Sequence, residues 1–210
     1  PKAYSSSSLQ QRASSLAKPS DLKTGSAENF IKFLGTAGAR FVMIRQLRAS
    51  GGLWVGCRGS NVLIDPGPGS IVRLAYAKPR FDPAKLDGII LTHRHLDHSG
   101  DINVMIEAMT EGGFKKKGVV FCPADALKND SVILGYLKNF PEKIVALKER
   151  QCYQVGNFCF QSSMRHIHPV ETYGLKFKLG RATIGLMADT AYFPGLKSFY
   201  RGCEILIIPT

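Results

Sequence analysis

From residue 30 onward the chain is a succession of short apolar runs separated by glycine. The runs 30–34, 41–44, 53–55 and 62–64 have strand length and are joined by turn-forming stretches, so they predict β-strands. Residues 86–91 form another apolar run of strand length. After Ser99-Gly100 the period changes: Ile102, Met105, Ile106 and Met109 recur at helical spacing within 101–110, with Asp101 placed as the N-cap. Further on, 119–122 reads as a strand, 131–140 as a helix, and 143–147, 157–161, 175–179, 182–187 and 204–208 as strands. Strands outnumber helices and no fixed-period repeat is present. Two strand-rich halves divided near residue 120 predict an α/β protein with sheets inside and helices outside.

Residues 1–29 have a different texture. Serines crowd it and large apolar groups are few, so it cannot offset its ordering entropy by burial and is expected to be a flexible tail ahead of a folded unit, 30–210. At 210 residues, 44% hydrophobic and 21% charged, the whole chain has the size and composition of one globular domain with an appendage. No run reaches the roughly 18 apolar residues of a membrane span. The start also lacks the apolar core of a secretory signal, and the expectation is a cytoplasmic protein without membrane contact. The five cysteines, at 57, 122, 152, 159 and 203, contain no C-x-x-C pair and read as reduced, mostly buried thiols.

Charge adds a direction. Lys and Arg number 28 against 16 Asp and Glu, a formal net charge of +12, which favours a polyanionic partner such as RNA, DNA or a nucleotide. The run Lys115-Lys116-Lys117 follows Gly112-Gly113 and reads as a solvated loop rather than a phosphate site. Trp54, Tyr76, Tyr136, Tyr153, Tyr173 and Tyr192 are read first as core aromatics.

The chemistry is concentrated in histidine. All five fall in two clusters, His93, His95 and His98 within Thr92-His93-Arg94-His95-Leu96-Asp97-His98, and His166 with His168. The first cluster leaves a strand, so His93 and His95, two residues apart, project to one side and suit a single metal ion. Asp97 and His98 come after the chain begins to turn and could serve a second ion with a harder oxygen ligand. Four potential ligands in six residues at the end of a buried strand are hard to explain by packing. In the second cluster, spacing alone does not separate His166 from His168.

The motif His-x-His-x-Asp-His after a strand resembles the signature of the metallo-β-lactamase superfamily. Two further segments are similar to it: Phe33-Leu34-Gly35-Thr36 to the family's first strand, and Asn61 through Asp65-Pro66-Gly67-Pro68-Gly69 to its strand-end aspartate motif. The resemblance implies an αββα sandwich of two mixed sheets with helices outside, and for Asp65 a carboxylate role behind the metals. Downstream, His168-Pro169-Val170-Glu171-Thr172-Tyr173-Gly174 is similar to a tRNase Z segment, which implies that His168 is a ligand. Met187-Ala188-Asp189-Thr190 resembles the family's Gly-Asp-Thr motif, with Ala188 in place of glycine, and implies that Asp189 bridges two ions.

By that resemblance His93, His95 and His168 hold one ion, Asp97 and His98 help hold a second, and Asp97 doubles as the catalytic proton shuttle. Zinc is the default metal, two ions are expected, and manganese or iron would accept the same ligands. Water activated between the ions would attack a phosphodiester of a nucleic acid or nucleotide. The alternatives are a small ester, lactone, lactam or thioester, and a metal- or nucleic-acid-binding module without turnover. Tyr192 and Phe193, beside Asp189, are candidate substrate contacts. The family's late histidine has no counterpart after His168, so an incomplete domain, a ligand from a second chain, or a weak or absent second ion is expected. An association surface, a second copy or another chain, is expected over the last strand.

Overall fold

The computed structural model describes residues 29–38 and 40–209, so the expected tail lies outside the described residues apart from Asn29. The first sheet has the order β1-β2-β3-β4-β5-β6. Strands β1 (Phe30–Phe33), β2 (Leu53–Cys57) and β3 (Ser60–Ile64) are antiparallel, and β4 (Gly88–Ile90), β5 (Val119–Cys122) and β6 (Lys143–Ala146) continue parallel to β3. The second has the order β11-β10-β9-β8-β7, from β7 (Cys152–Val155), β8 (Phe158–Arg165), β9 (Tyr173–Leu179), β10 (Ala182–Leu186) and β11 (Ile205–Ile207). Its pairs are antiparallel except β10 with β11.

Period-2 alternation explains the layering. Along β3, Val62 and Ile64 point into the core between the sheets while Leu63 points to the opposite face. Along β4 and just beyond it, Ile90 takes the inner side and Ile89 and Leu91 the outer. The inner core is closed by Phe158, Phe160, Leu175 and Phe177 of the second sheet. Helices cover the outer faces. Leu74 of α2 (Ser70–Tyr76) and Ile102, Met105, Ile106 and Met109 of α4 (Ile102–Met109) pack on the first sheet, and Leu196, Phe199 and Tyr200 of α5 (Pro194–Tyr200) pack against Met164 and Met187 of the second. The result is the αββα sandwich. Each fully buried aliphatic side chain contributes about 1.5–3 kcal/mol, and Ile106→Ala in this packed layer should cost about 2–5 kcal/mol.

Two short helices complete the set, α1 (Arg40–Ile44) and α3 (Leu96–Ser99). The residues 41–44 expected as a strand are α1: among the described residues no strand pairs with them, and none of the helix's residues is fully buried. The helix expected over 131–140 shrinks to a 3-10 turn, Gly135–Asn139. The Ser131 hydroxyl engages the carbonyls of Ala126 and Ile133, holding the preceding chain in a turn, and Gly135 adds a helix penalty. The boundary between the sheets falls between β6 and β7 rather than near residue 120. Asp101 precedes α4 as expected, but its carboxylate accepts from the Gly69 and Ile71 amides instead, and so caps α2.

Of the cysteines only Cys57 and Cys122 are buried, and all five are free thiols. Of the expected core aromatics Trp54 and Tyr173 are buried, whereas Tyr76, Tyr136 and Tyr192 are exposed. Lys115–117 lies in a loop. Strand β11 is a sheet edge with Ile205, Leu206 and nearby Ile208 exposed. No helix among the described residues is long and apolar enough to cross a membrane.

Candidate metal centre

The site forms where the strands of the first sheet end and three loops meet. His93 follows β4, His95 stands at the start of α3, and Asp97 and His98 lie on α3. His168 lies between β8 and β9, and Asp189 follows β10. The Pro66–Pro68 stretch packs tightly beneath α3: a side chain at Gly67 would collide with the Asp97 carbonyl, so glycine is what lets the motif after Asp65 approach the helix carrying Asp97 and His98.

One ligand atom from each of His93, His95, His168 and Asp189 falls within 4.8 Å of all the others. His168 Nε2 is 3.1 Å from His95 Nδ1, and His93 Nε2 is 3.9 Å from Asp189 Oδ2. Tetrahedral bonds of about 2.0–2.1 Å place donors roughly 3.3 Å apart, so this spacing is of the right order for one divalent ion. The other oxygen of Asp189, Oδ1, is 3.8 Å from His98 Nε2, which is itself 3.9 Å from Asp97 Oδ2. Asp189 therefore stands between two groups of side chains with one oxygen toward each.

Asp65 sets the tautomers. Its carboxylate accepts from the Thr92 amide and hydroxyl, both at 2.7 Å, and from His98 Nδ1 at 3.0 Å. Because the Thr92 hydroxyl donates to Asp65, its oxygen accepts from His93 Nδ1 at 3.1 Å, and the proton of His93 resides on that nitrogen. His93 Nε2 is then a bare lone pair, fully buried, with no hydrogen-bond partner. An orphaned acceptor in the middle of a ligand cluster is costly unless a cation completes it. The donor set fits a metal ion.

The same network separates two histidines electrostatically. Burial, reinforced by the neighbouring rings of His98, His95 and His168, holds His93 far below the usual imidazole range, so it stays neutral. Burial also works against charge on His98, but Asp65, with Asp97 and Asp189 behind it, overrides burial and pushes the ring up to about 9. His95 is lowered, first by burial and then by His168, with Arg40 also contributing.

The structure separates His166 from His168, which spacing did not. His166 is buried, its backbone amide donates to the Thr172 carbonyl, and its Nδ1 lies 3.3 Å from the Asp189 carbonyl, outside the four-residue cluster. Two positioning residues escaped the sequence reading. Asp125 and Glu171 exchange bonds, each carboxylate accepting the other's amide at 2.9 and 3.2 Å, while the Tyr173 hydroxyl donates to Glu171. This clasp ties the His168 loop to the 3-10 turn Ala124–Leu127. Residues 46 apart with no pattern between them leave no signal in sequence.

The cluster opens into a cleft of about 720 Å³, whose walls include Arg40, Phe41, Ile167, Pro169 and Met187 around His95, Asp97, His168 and Asp189. Tyr192 and Phe193 are not among its lining residues. Tyr192 is 76% exposed, and Phe193 packs with Leu196 and against the His166 ring.

A family model described as a beta-lactamase superfamily domain matches residues 60–210. The chain belongs to the metallo-β-lactamase superfamily. Curated relatives include the uncharacterized protein MJ1374 of Methanocaldococcus jannaschii, 29% identical over 84% of this chain and 67% of its own length. The probable metallo-hydrolase YhfI of Bacillus subtilis is 29% identical over 70% and 59%, and ribonuclease Z of Thermoplasma acidophilum 29% over 67% and 45%. The chain thus spans from about half to two thirds of these relatives' lengths. Among solved structures, YhfI from Bacillus subtilis superposes with a TM-score of 0.63 at 23% identity, over 84% of this chain and 68% of that one. Zinc-bound PqqB from Methylobacterium extorquens gives 0.61 at 12%, over 85% and 71%, and a diphosphatase of the PhnP family gives 0.56 at 20%, over 76% and 59%. These likenesses show a shared fold. Members of the superfamily are metal-dependent hydrolases, and this chain carries a His/Asp cluster of metal-binding type.

Proposed function

We propose that the chain is a phosphodiester hydrolase that works with two divalent cations, zinc being the expected metal. The observation that carries the metal reading is the buried, partnerless Nε2 of His93 clustered with His95, His168 and Asp189, three residues that line an open cleft. In this reading those four residues hold one ion, and Asp97, His98 and the second oxygen of Asp189 face the other. A cation pair at such a site lowers the pKa of water and neutralises charge on a phosphoryl oxygen. Asp65 fixes the rings of His98 and, through Thr92, of His93, so that both present Nε2 toward Asp189. Asp97, on the cleft wall, accepts the proton of the attacking water at a carboxylate oxygen.

The phosphodiester assignment rests on two supports, the +12 charge of the chain and its similarity to ribonuclease Z. A second reading has its own observation: Phe41, Ile167, Pro169 and Met187 give the cleft apolar walls that would suit a small neutral ester or lactone. Hydrolysis of bis(p-nitrophenyl) phosphate and of p-nitrophenyl acetate, each followed from low to high salt, separates them. The proposal expects the phosphodiester to be the better substrate, with KM rising as salt rises. Preferential, salt-insensitive cleavage of the acetate would reverse the assignment, and metal binding without either activity would leave a binding module.

A further inference from the structure

We propose that the 3-10 turn Ala124–Leu127 is a spacer that sets the gap between His95 and His168, and that Asp125 is its positioning residue. The inference rests on the metal-centre reading and says what holds the two ligands that Asp65 does not reach. A metal-ligating imidazole is ordinarily held by a partner on its second ring nitrogen, which fixes the orientation of the ring. His93 and His98 have such partners in the Thr92 hydroxyl and the Asp65 carboxylate. His95 and His168 do not: among the described residues their one ring hydrogen bond joins His168 Nε2 to His95 Nδ1 at 3.1 Å. The placement of these two rings therefore depends on the loops that carry them.

Asp125 ties those loops together with two arms. On one side the guanidinium of Arg94, the residue between His93 and His95, donates from Nη1 to the Asp125 carbonyl at 3.4 Å. On the other, the Asp125 carboxylate accepts at 2.9 Å from the amide of Glu171, three residues past His168, while the Glu171 carboxylate accepts the Asp125 amide at 3.2 Å and the Tyr173 hydroxyl at 2.8 Å. The turn between the arms is itself fixed. It follows β5 through Pro123 and buries Ala126, whose carbonyl accepts from the Val132 amide and the Ser131 hydroxyl, and its last carbonyl, that of Leu127, accepts from the Lys138 ammonium at 2.9 Å. Other ties lie to either side: the Tyr173 amide donates to the Thr92 carbonyl ahead of the first histidine, and Ile167 pairs with Ala191 on the Asp189 flank. Among the described residues no hydrogen bond joins 93–98 directly to 167–172 except the one between the two rings, so the path through Asp125 supplies the spacing. A ligand pair without partners of its own is preorganised only as far as its loops are.

The test compares wild type with Asp125→Ala, Asp125→Asn and Arg94→Ala. It reads zinc affinity by competition with a chelator, the d–d absorption of the chain loaded with cobalt(II), and the melting temperature with and without zinc. Asp125→Ala should weaken zinc binding about 10- to 100-fold, the range for loss of a group that stands behind a metal ligand, and should alter the cobalt bands, which report the arrangement of the ligands. Asp125→Asn keeps an oxygen for the Glu171 amide and should return zinc affinity to within about threefold of wild type, whereas Arg94→Ala, which cuts the longer arm alone, should cost about two- to tenfold, the size of one ordinary hydrogen bond. A role in the fold alone would lower the melting temperature of the stripped and the loaded chain together and leave zinc affinity and the cobalt bands as in wild type. That result in Asp125→Ala, or in Arg94→Ala should Asp125→Ala fail to fold, would overturn the spacer while leaving the metal centre intact. A wild-type chain that takes up neither zinc nor cobalt would overturn both.

Discussion

On one side of Asp189 three imidazoles and a carboxylate oxygen converge within 4.8 Å, and the buried ring of His93 is neutral with its lone pair inward. On the other side His98 stands 3.8 and 3.9 Å from its carboxylate neighbours and is pushed up to about 9 by Asp65, so near neutral pH it carries a proton that a metal ion would have to displace. The same aspartate, Asp65, produces both states: through the Thr92 hydroxyl it fixes a neutral ring, and by direct contact it stabilises a charged one. An intervening hydroxyl relays orientation without relaying charge. The first half is arranged to receive a cation as it stands, and the second must exchange a proton first.

The largest effect is expected from His93→Ala or His95→Ala, which remove ligands from the finished half. Both should lose bound metal and hydrolytic activity together, read by elemental analysis and a chromogenic diester. Metal retained at the wild-type level in either variant would contradict the assignment. Asp65→Asn comes next. It keeps the size of the side chain but weakens the hold on both halves, and metal affinity should fall about 10- to 100-fold in a competition with a chelator. Unchanged affinity would show that Asp65 serves only the turn after β3.

A pH series on the metal-stripped chain addresses the two halves separately. His93 titrates near 6.5 when unfolded and lower when folded, so the unfolded chain binds more protons below 6.5 and stability should fall as pH drops through that range. His98 titrates near 6.5 unfolded and about 9 folded, so its contribution is complete below 6.5 and is lost as pH rises toward 9. The melting temperature of the stripped chain should therefore peak near pH 6.5. A plateau from pH 6 to 9 would mean that His98 is not held by Asp65. The smallest effect is expected for His166→Ala, whose ring lies behind the Asp189 backbone and outside the cluster. Stability should drop by about 1–3 kcal/mol in denaturant while metal content stays near wild type.

What could be read from sequence was what is local. The apolar runs at 62–64 and 86–91, the helical spacing of Ile102, Met105, Ile106 and Met109, and the density of ligands in 93–98 each lie within a few residues, and these strands, the helix and the His93–His98 part of the site follow from them. His168 and Asp189 carried no such local pattern and came from family resemblance. Strand β7 was missed although the Gly156-Asn157 turn pairs it with β8. Helix α5 was also missed, although Pro194 at its first turn and Leu196, Phe199 and Tyr200 mark its start and its buried face. Contacts between distant segments, such as the Asp125–Glu171 clasp and the cleft wall at Arg40 and Phe41, depend on tertiary assembly and leave no periodic trace. Tyr192 and Phe193 were chosen for nearness in sequence to Asp189, but Pro194 starts α5 immediately afterwards, and Phe193 packs with that helix and is not among the cleft's lining residues.

The most direct test is the number of divalent ions per chain, measured by elemental analysis on purified wild type and on His168→Ala after equilibration with zinc and removal of the excess. The account predicts about two ions in wild type, and in His168→Ala loss of the ion held by His93, His95 and Asp189. Wild type without tightly bound metal, or His168→Ala with the full complement, would contradict it.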